Sequence, residues 1–340
     1  MIQTLLQQWS ARTDSKKAVL CSVVEWKGSV PRKDYPMMLV LDNGSILGTI
    51  GGGSMELKVT RAAREMMETA ESRLFDFDMT GRDVHADVGL CGGTLKVLVE
   101  PFTDELKAFY GDMLHQMAGN PKLMVKLLIA GEDKVTCERR LITTRTDIID
   151  PDPDQQKSFR QTFENQKTKA FGNHSKRYLL WQPFTPPTIH IFGAGHVGQS
   201  VAELAHFNDL QVQVYDDRTE LMTLARFPTA KLIDLSFPIV WADVPEIPAQ
   251  DFVLIASREH KHDHELLIGV LKNSPAYVGL VSSARKWKIL SESLLEEGIT
   301  PASLARVHAP VGLNIEAQTV PEIAISIMSE IIAEYRGISQ

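Results

Sequence analysis

The chain has 340 residues and carries 36 Lys and Arg against 43 Asp and Glu, a formal net charge of −7. Hydrophobic residues make up 44% and charged residues 23%, the mix of a globular protein with chain enough for two domains. The acidic balance argues against general binding to nucleic acid or anionic lipid, and no apolar run nears the roughly 18 residues of a membrane-spanning helix.

The first segment places Ile2, Leu5, Leu6 and Trp9 at helical spacing and lacks the apolar core of a secretory leader. Three scattered cysteines, Cys21, Cys91 and Cys137, are too few for a disulfide framework, so a reducing, cytoplasmic compartment is expected. Residues 18–26 read as a strand ending at the Gly28-Ser-Val-Pro31 turn. Residues 37–41 and 45–50 flank Asn43-Gly44, a strong hairpin cue. Gly51-Gly52-Gly53 follows, and a helix is expected from Ser54, a plausible N-cap, to about Arg73. Strands at 74–78 and 94–100 enclose a polar loop containing Gly89-Leu90-Cys91-Gly92-Gly93. A helix over 104–117 and strands near 123–130, 137–143 and 177–182 complete this half, with a turn at Asp150-Pro151-Asp152-Pro153 and a polar helical stretch between them.

Prolines at 183, 186 and 187 mark a stiff connector, placing a boundary between domains 1–185 and 186–340. Beyond it, strands at 188–192, 211–216, 231–235, 251–257 and 276–282 alternate with helices reaching Phe207 and at 219–227, 262–272 and 284–296. A last helix spans Pro321 to Tyr335. Short β-branched runs alternating with helices specify a parallel sheet covered on both faces. The expected fold class is α/β: an N-terminal α+β domain followed by a Rossmann-like doubly wound parallel-sheet domain.

Gly193-Ala-Gly195-His196-Val-Gly198 directly follows a strand and opens a helix. One glycine serves the tight turn, one lets the backbone approach a phosphate, and one permits close helix–strand packing. Asp216 and Asp217, 23 and 24 positions after Gly193, stand where a ribose-binding acid belongs. The motif therefore admits NAD(P) or another nucleotide, or a scaffold that keeps its glycines for packing alone. Asp216 favours a free ribose hydroxyl, whereas Arg218 would suit a 2′-phosphate; the reading leans to the unphosphorylated form.

The stretch Gly48-Thr-Ile-Gly51-Gly52-Gly53-Ser54-Met-Glu56 has the same physics, with unhindered amides and a positive helix end aimed at an anion. A hairpin exit needing positive φ is the alternative. Cys91, beside Gly92 and Gly93, is either a reactive or ligand-binding thiol or a small buried hydrophobe. Cys21 and Cys137 sit in strand patterns and read as core. His260, His262 and His264 follow a strand of the second half; His260 and His264 share a helix face and could ligate a metal, with a solvated polar loop as the alternative.

These motifs together resemble the XdhC/CoxI family, the xanthine dehydrogenase accessory proteins. The first half contributes Gly28-Ser-Val-Pro31-Arg32, Gly48 to Glu56 and Cys91-Gly92-Gly93. The second contributes Phe192 to Gly198, Asp216-Asp217-Arg218, His262-Asp-His264, Gly279-Leu280 and His308 to Asn314. The resemblance implies a cofactor chaperone rather than a catalyst. Such a protein binds molybdenum cofactor (molybdopterin), protects it while a cysteine desulfurase supplies a terminal sulfido ligand, and delivers it to a xanthine dehydrogenase-type molybdoenzyme. A homodimer is the expected assembly. Cofactor contacts are expected from Gly51, Gly52, Gly53, Ser54, Glu56, Cys91, Gly92 and Gly93, and from Gly193, Gly195, His196, Gly198 and Asp216. Metal contacts are expected from Cys91, His260, His262 and His264. Ser54 stands where some relatives carry Cys, so Cys91 would act alone. The alternative function is an NAD(P)-dependent oxidoreductase built on the Rossmann half, although no proton-transfer group beyond the histidines is apparent.

Overall fold

A computed structural model describes residues 2–69, 71–80, 92–117, 120, 122–132, 134–144, 147, 153–165, 168–172, 175–183, 186–241 and 244–338. Cys91 lies outside the described residues, as do Gly89, Leu90, positions 150–152 and positions 184–185 of the connector. Two units, Met1–Thr185 and Pro186–Gln340, carry separate cores.

The first unit runs α1 (Ile2–Ser10), β1 (Ala18–Gly28), β2 (Met37–Leu41), β3 (Ile46–Gly48), α2 (Gly53–Met66), β4 (Ser72–Asp78), β5 (Gly93–Pro101) and α3 (Asp104–Met117). It continues with β6 (Met124–Ala130), β7 (Lys134–Ile142), α4 (Pro153–Glu164), β8 (Lys169–Gly172) and β9 (Lys176–Trp181). Among the described residues the nine strands form an antiparallel sheet in the order β3-β2-β1-β5-β4-β7-β6-β9-β8. β4 and β7 share only the pairs Ser72↔Val135 and Arg73↔Lys134. Side chains from both halves of the sheet, Leu20, Leu39 and Leu98 with Val125, Leu127 and Leu179, nonetheless meet in one core with α1 and α3. The period of two sends Val19, Cys21 and Val23 of β1 to the opposite face, where Met55, Val59, Ala63 and Met66 of α2 cover them. The Asn43-Gly44 hairpin forms as expected, with Gly44 at φ 85°.

The second unit runs β10 (Ile189–Phe192), α5 (His196–Phe207), β11 (Val212–Asp216), β12 (Lys231–Asp234), β13 (Phe252–Ile255) and α6 (His260–Asn273). Then come β14 (Tyr277–Leu280), α7 (Ala284–Glu296), α8 (Pro301–Leu304), β15 (Val307–His308) and α9 (Val320–Tyr335). The sheet order is β12-β11-β10-β13-β14-β15, with every strand pair parallel. Helices α5 and α9 bury Ile189 and Ile191 on one face; α6 and α7 bury Phe192 and Val253 on the other. The chain leaves β10 for β11 on one side and returns to β13 on the other, which places a switch point at β10.

Three local expectations fail. The helix expected to reach about Arg73 ends at Met66, and Arg73 lies in β4. Ser54 is not the N-cap of α2: Gly52 caps it without a side-chain bond, and Ser54 lies inside the helix. Residues 219–227 form successive turns instead of a helix, with bonds such as Leu221 N–H to Arg218 O and Met222 N–H to Thr219 O. Arg226 takes the Leu221 carbonyl and the Gln199 side chain, and Pro228 disfavours helical backbone at Phe227. The fold class itself is as expected.

Ile191 is fully buried in the central strand β10. Ile191→Ala should remove about 3 kcal/mol from the stability of the second unit, measured by chemical denaturation.

Candidate functional site

In the first unit the sequence motifs converge through backbone contact. β1 ends at Gly28, which pairs with Gly93 at the start of β5. A Cβ on Gly93 would lie 2.3 Å from the Ser29 carbonyl oxygen, and one on Gly28 would lie 2.9 Å from that of Gly92. The same Gly28–Pro31 turn reaches the third motif, since a Cβ on Gly51 would lie 2.8 Å from Cβ of Pro31. Arg32 extends the contact by donating to the Thr49 carbonyl while pairing with Asp34. Gly28–Pro31, Gly48–Gly53 and Gly92–Gly93 therefore form one surface at the end of β1.

Gly51, Gly52 and Gly53 all have positive φ, at 133°, 75° and 68°, and lead directly into α2. Such a succession of amides at a helix start attracts an anion. Here the chain supplies one itself. Oε2 of Glu56 accepts from Thr49 Oγ1 at 2.6 Å, Ile50 N at 2.9 Å and Gly52 N at 3.1 Å. Burial pushes this carboxyl upward, but those hydrogen bonds outweigh it and hold the group below the ordinary carboxylate range. Open space lies where Cβ atoms on Gly52 and Gly53 would project, so a ligand can approach the backbone there. Glu56, expected as a ligand contact, is thus the residue that organises the turn.

The other two thiols behave as structural groups. Cys21 is fully buried, and burial together with Glu100 and Glu56 raises it far above the usual thiol range. Cys137 is pushed up to about 12, chiefly by burial and then by Glu100.

In the second unit the glycine turn has the expected close packing. A Cβ on Gly198 would lie 2.0 Å from the Gly193 carbonyl oxygen and one on Gly193 2.2 Å from that of Ala256, while Gly195 is open. Helix α5 starts at His196, which is exposed, with Gly195 as its N-cap and no side-chain bond there. Asp216 does more than stand at the end of β11. It accepts Ala194 N–H at 2.6 Å and three Arg218 donors: N at 2.9 Å, Nε at 2.8 Å and Nη2 at 2.7 Å. Burial raises its carboxyl, but Arg218 and the Ala194 amide prevail and lower it to about 2. Asp217 pairs with Arg258 at 2.9 Å. The space among Gly193, Asp216, Arg218, Phe237 and Arg258 is ≈ 10 Å³, room for about one water.

The histidine cluster does not assemble. His262 is buried and stacks on Phe237, with centroids 3.6 Å apart. His264 Nε2 pairs with Glu297 at 3.0 Å and lies 3.3 Å from Ser293 Oγ. His260 is exposed at the first position of α6. Among the described residues no group of three His, Cys, Asp or Glu side chains could hold a metal. The metal contacts expected at His260, His262 and His264 do not come together among the described residues: His262 lies on Phe237, His264 faces Glu297, and His260 is exposed.

One polar cluster was not read from the sequence. Glu330, on the buried side of α9, accepts Tyr277 Oη–H at 2.5 Å, meets His308 Nδ1 at 3.1 Å and accepts Gly312 N–H at 3.1 Å. It ties β14, β15 and the following loop to the last helix. Its only sequence signal is a carboxylate interrupting the apolar run of 324–333.

The XdhC Rossmann domain profile matches residues 189–331, and the XdhC and CoxI family profile matches residues 11–78. The chain belongs to the XdhC and CoxI family. It is 27% identical over 326 residues to a probable xanthine dehydrogenase subunit of Bacillus subtilis (strain 168), covering 94% of this chain and 93% of that protein. It is also 27% identical over 315 residues to the uncharacterized protein YqeB of Escherichia coli (strain K12). That match covers 92% of this chain but only 42% of the length of YqeB. A crystal structure of a xanthine dehydrogenase from Bacillus halodurans superposes with a TM-score of 0.77 at 25% identity, covering 99% of this chain and 96% of that one. No helix among the described residues is long and apolar enough to cross a membrane.

Two outcomes are expected. Glu56→Gln should lower stability by about 1 kcal/mol, the small end for bonds to a charged group because the half-buried carboxylate is still screened by solvent, as read by urea denaturation at neutral pH. The side-chain bond to Glu330 raises His308 above its ordinary value against the opposing effect of burial. Its contribution is thus complete below about pH 6.5 and fades as pH rises through the elevated value. Melting curves across that window should show this slope in the wild type and a flatter one in His308→Gln.

Proposed function

We propose that this chain is an accessory protein that binds molybdenum cofactor, supports its sulfuration and inserts it into a xanthine dehydrogenase-type molybdoenzyme. The observation that carries the reading is the meeting of three glycine turns in the first unit. Main-chain amides there approach one surface, and the open positions at Gly52 and Gly53 leave room for a charged organic guest. The cofactor is cargo on this reading, and its phosphate needs such amides. Glu56 would order the turn before the cargo arrives. Cys91, adjoining Gly92 in sequence, is the proposed soft ligand toward molybdenum. Membership in the XdhC and CoxI family, and the relatives whose names carry xanthine dehydrogenase, support a maturation role. A cysteine desulfurase is the proposed sulfur source, and a homodimer the proposed assembly.

For the second unit, a nucleotide remains the proposed ligand class. Its ribose would have to compete with Ala194 and Arg218 for Asp216. That competition weighs against the alternative NAD(P)-dependent oxidoreductase.

The test is to purify the protein from a molybdate-replete host and assay molybdenum and oxidised-pterin fluorescence. Both should co-purify near stoichiometry, and Cys91→Ser should retain several-fold less. Absence of both, with no uptake of added cofactor, overturns the proposal. Titration with NADH and NADPH should leave their fluorescence unchanged; a saturable response would favour the oxidoreductase.

A further inference from the structure

The first unit carries a second cleft that shares none of its lining residues with the glycine turns. It encloses ≈ 540 Å³ between α3 and β7, lined by Glu100, Leu106, Phe109, Thr136, Cys137 and Arg139 among others. That volume lies within the range of small-molecule sites. The floor is an ion pair: Nη2 of Arg139 donates to Oε1 of Glu100, and the two side chains are only 9% and 5% exposed. Burying such a pair is costly, and apolar residues of similar size often serve stability as well or better. A buried pair at the base of an open cleft therefore suggests more than packing.

Arg139 also bonds the side chain of buried Tyr110, yet the pair still leaves recognition capacity unused. A guanidinium has five N–H donors and a carboxylate about four lone-pair sites. Among the described residues Oε2 of Glu100 accepts no hydrogen bond. Donors and an acceptor thus stand side by side at the floor, with Leu106 and Phe109 as an apolar wall. Charge narrows the choice. A cationic ligand would face Arg139 and Lys134, and an anionic one Glu71, Glu100 and Glu105. A neutral polar ligand disturbs neither the floor pair nor the Glu71–Lys134 pair at the rim.

We propose that this cleft binds a neutral planar heterocycle through a lactam edge, its ring N–H donating to Glu100 Oε2 and its carbonyl accepting from Arg139. The apolar wall takes the face of the ring, and the exposed residues Thr103 and Thr136 also line the cleft. Cys137, held as a neutral thiol by burial, adds no charge to the cleft.

Guanosine is the probe, because its N1–H and O6 form such an edge. Isothermal titration of the full chain should show guanosine binding, with adenosine and 1-methylguanosine at least about tenfold weaker because their edges lack that donor. Thr136→Trp fills the cleft without touching the pair and should abolish binding. The double variant Glu100→Gln/Arg139→Met removes both charges together and should lose binding while melting as a folded protein. No binding of guanosine at about 1 mM, equal affinity for all three nucleosides, or unchanged affinity in Thr136→Trp would each overturn the proposal, the last by placing the probe elsewhere.

Discussion

The two glycine turns that lead into helices, Gly51–Gly53 and Gly193–Gly198, leave main-chain N–H groups where a strand gives way to a helix, and an acidic side chain of the same chain closes each of them. Buried or half-buried amides must find acceptors. Glu56 takes those of Ile50 and Gly52 in the first unit, and Asp216 takes that of Ala194 in the second. In both cases the carboxylate is held charged by the donors it serves. The two turns therefore exist as ordered surfaces before any ligand reaches them, and each offers a ligand only what its own acid leaves open.

That difference separates the units functionally. At Gly52 and Gly53 the space beyond the backbone is empty, so an anion can share the turn with Glu56. At the Rossmann crevice Asp216 is engaged by four donors from Ala194 and Arg218, and Asp217 is tied to Arg258. The fold alone does not establish a nucleotide there. The weight of the functional reading falls on the first unit, where close approach at Gly28, Gly51 and Gly93 joins segments far apart in the chain.

Much of this architecture was legible in the residues. Apolar runs flanking Asn43-Gly44 gave the hairpin, because paired strands and a turn tolerant of positive φ are local demands. Gly193, Gly195 and Gly198 between a strand and a helix gave the Rossmann unit for the same reason. The helix expected at 219–227 gives way to turns: Pro228, a local signal, disfavours helical backbone at Phe227, and Arg226 braces the turns through Gln199 and the Leu221 carbonyl. Ser54 looked like an N-cap by residue type, yet Glu56 reaches back and does the satisfying. The histidines at 260–264 looked like ligands by spacing, but His262 packs on Phe237, His264 pairs with Glu297 and His260 is exposed.

From sequence alone come the two-unit organisation, the α/β class, the glycine turns and the family. The first three depend on composition, periodicity and short-range backbone geometry, written within a few neighbouring residues; the family rests on the resemblance of several separate motifs in order along the chain. Tertiary structure alone decided which acid closes which turn, that the three turns of the first unit meet, and that Glu330, Glu100 and Arg139 are buried polar groups. Glu56 reaches back only four to seven residues, but the contacts of Asp216, Glu330 and the Glu100–Arg139 pair, like the meeting of the three turns, join residues well separated in the chain and are set by strand register and helix packing.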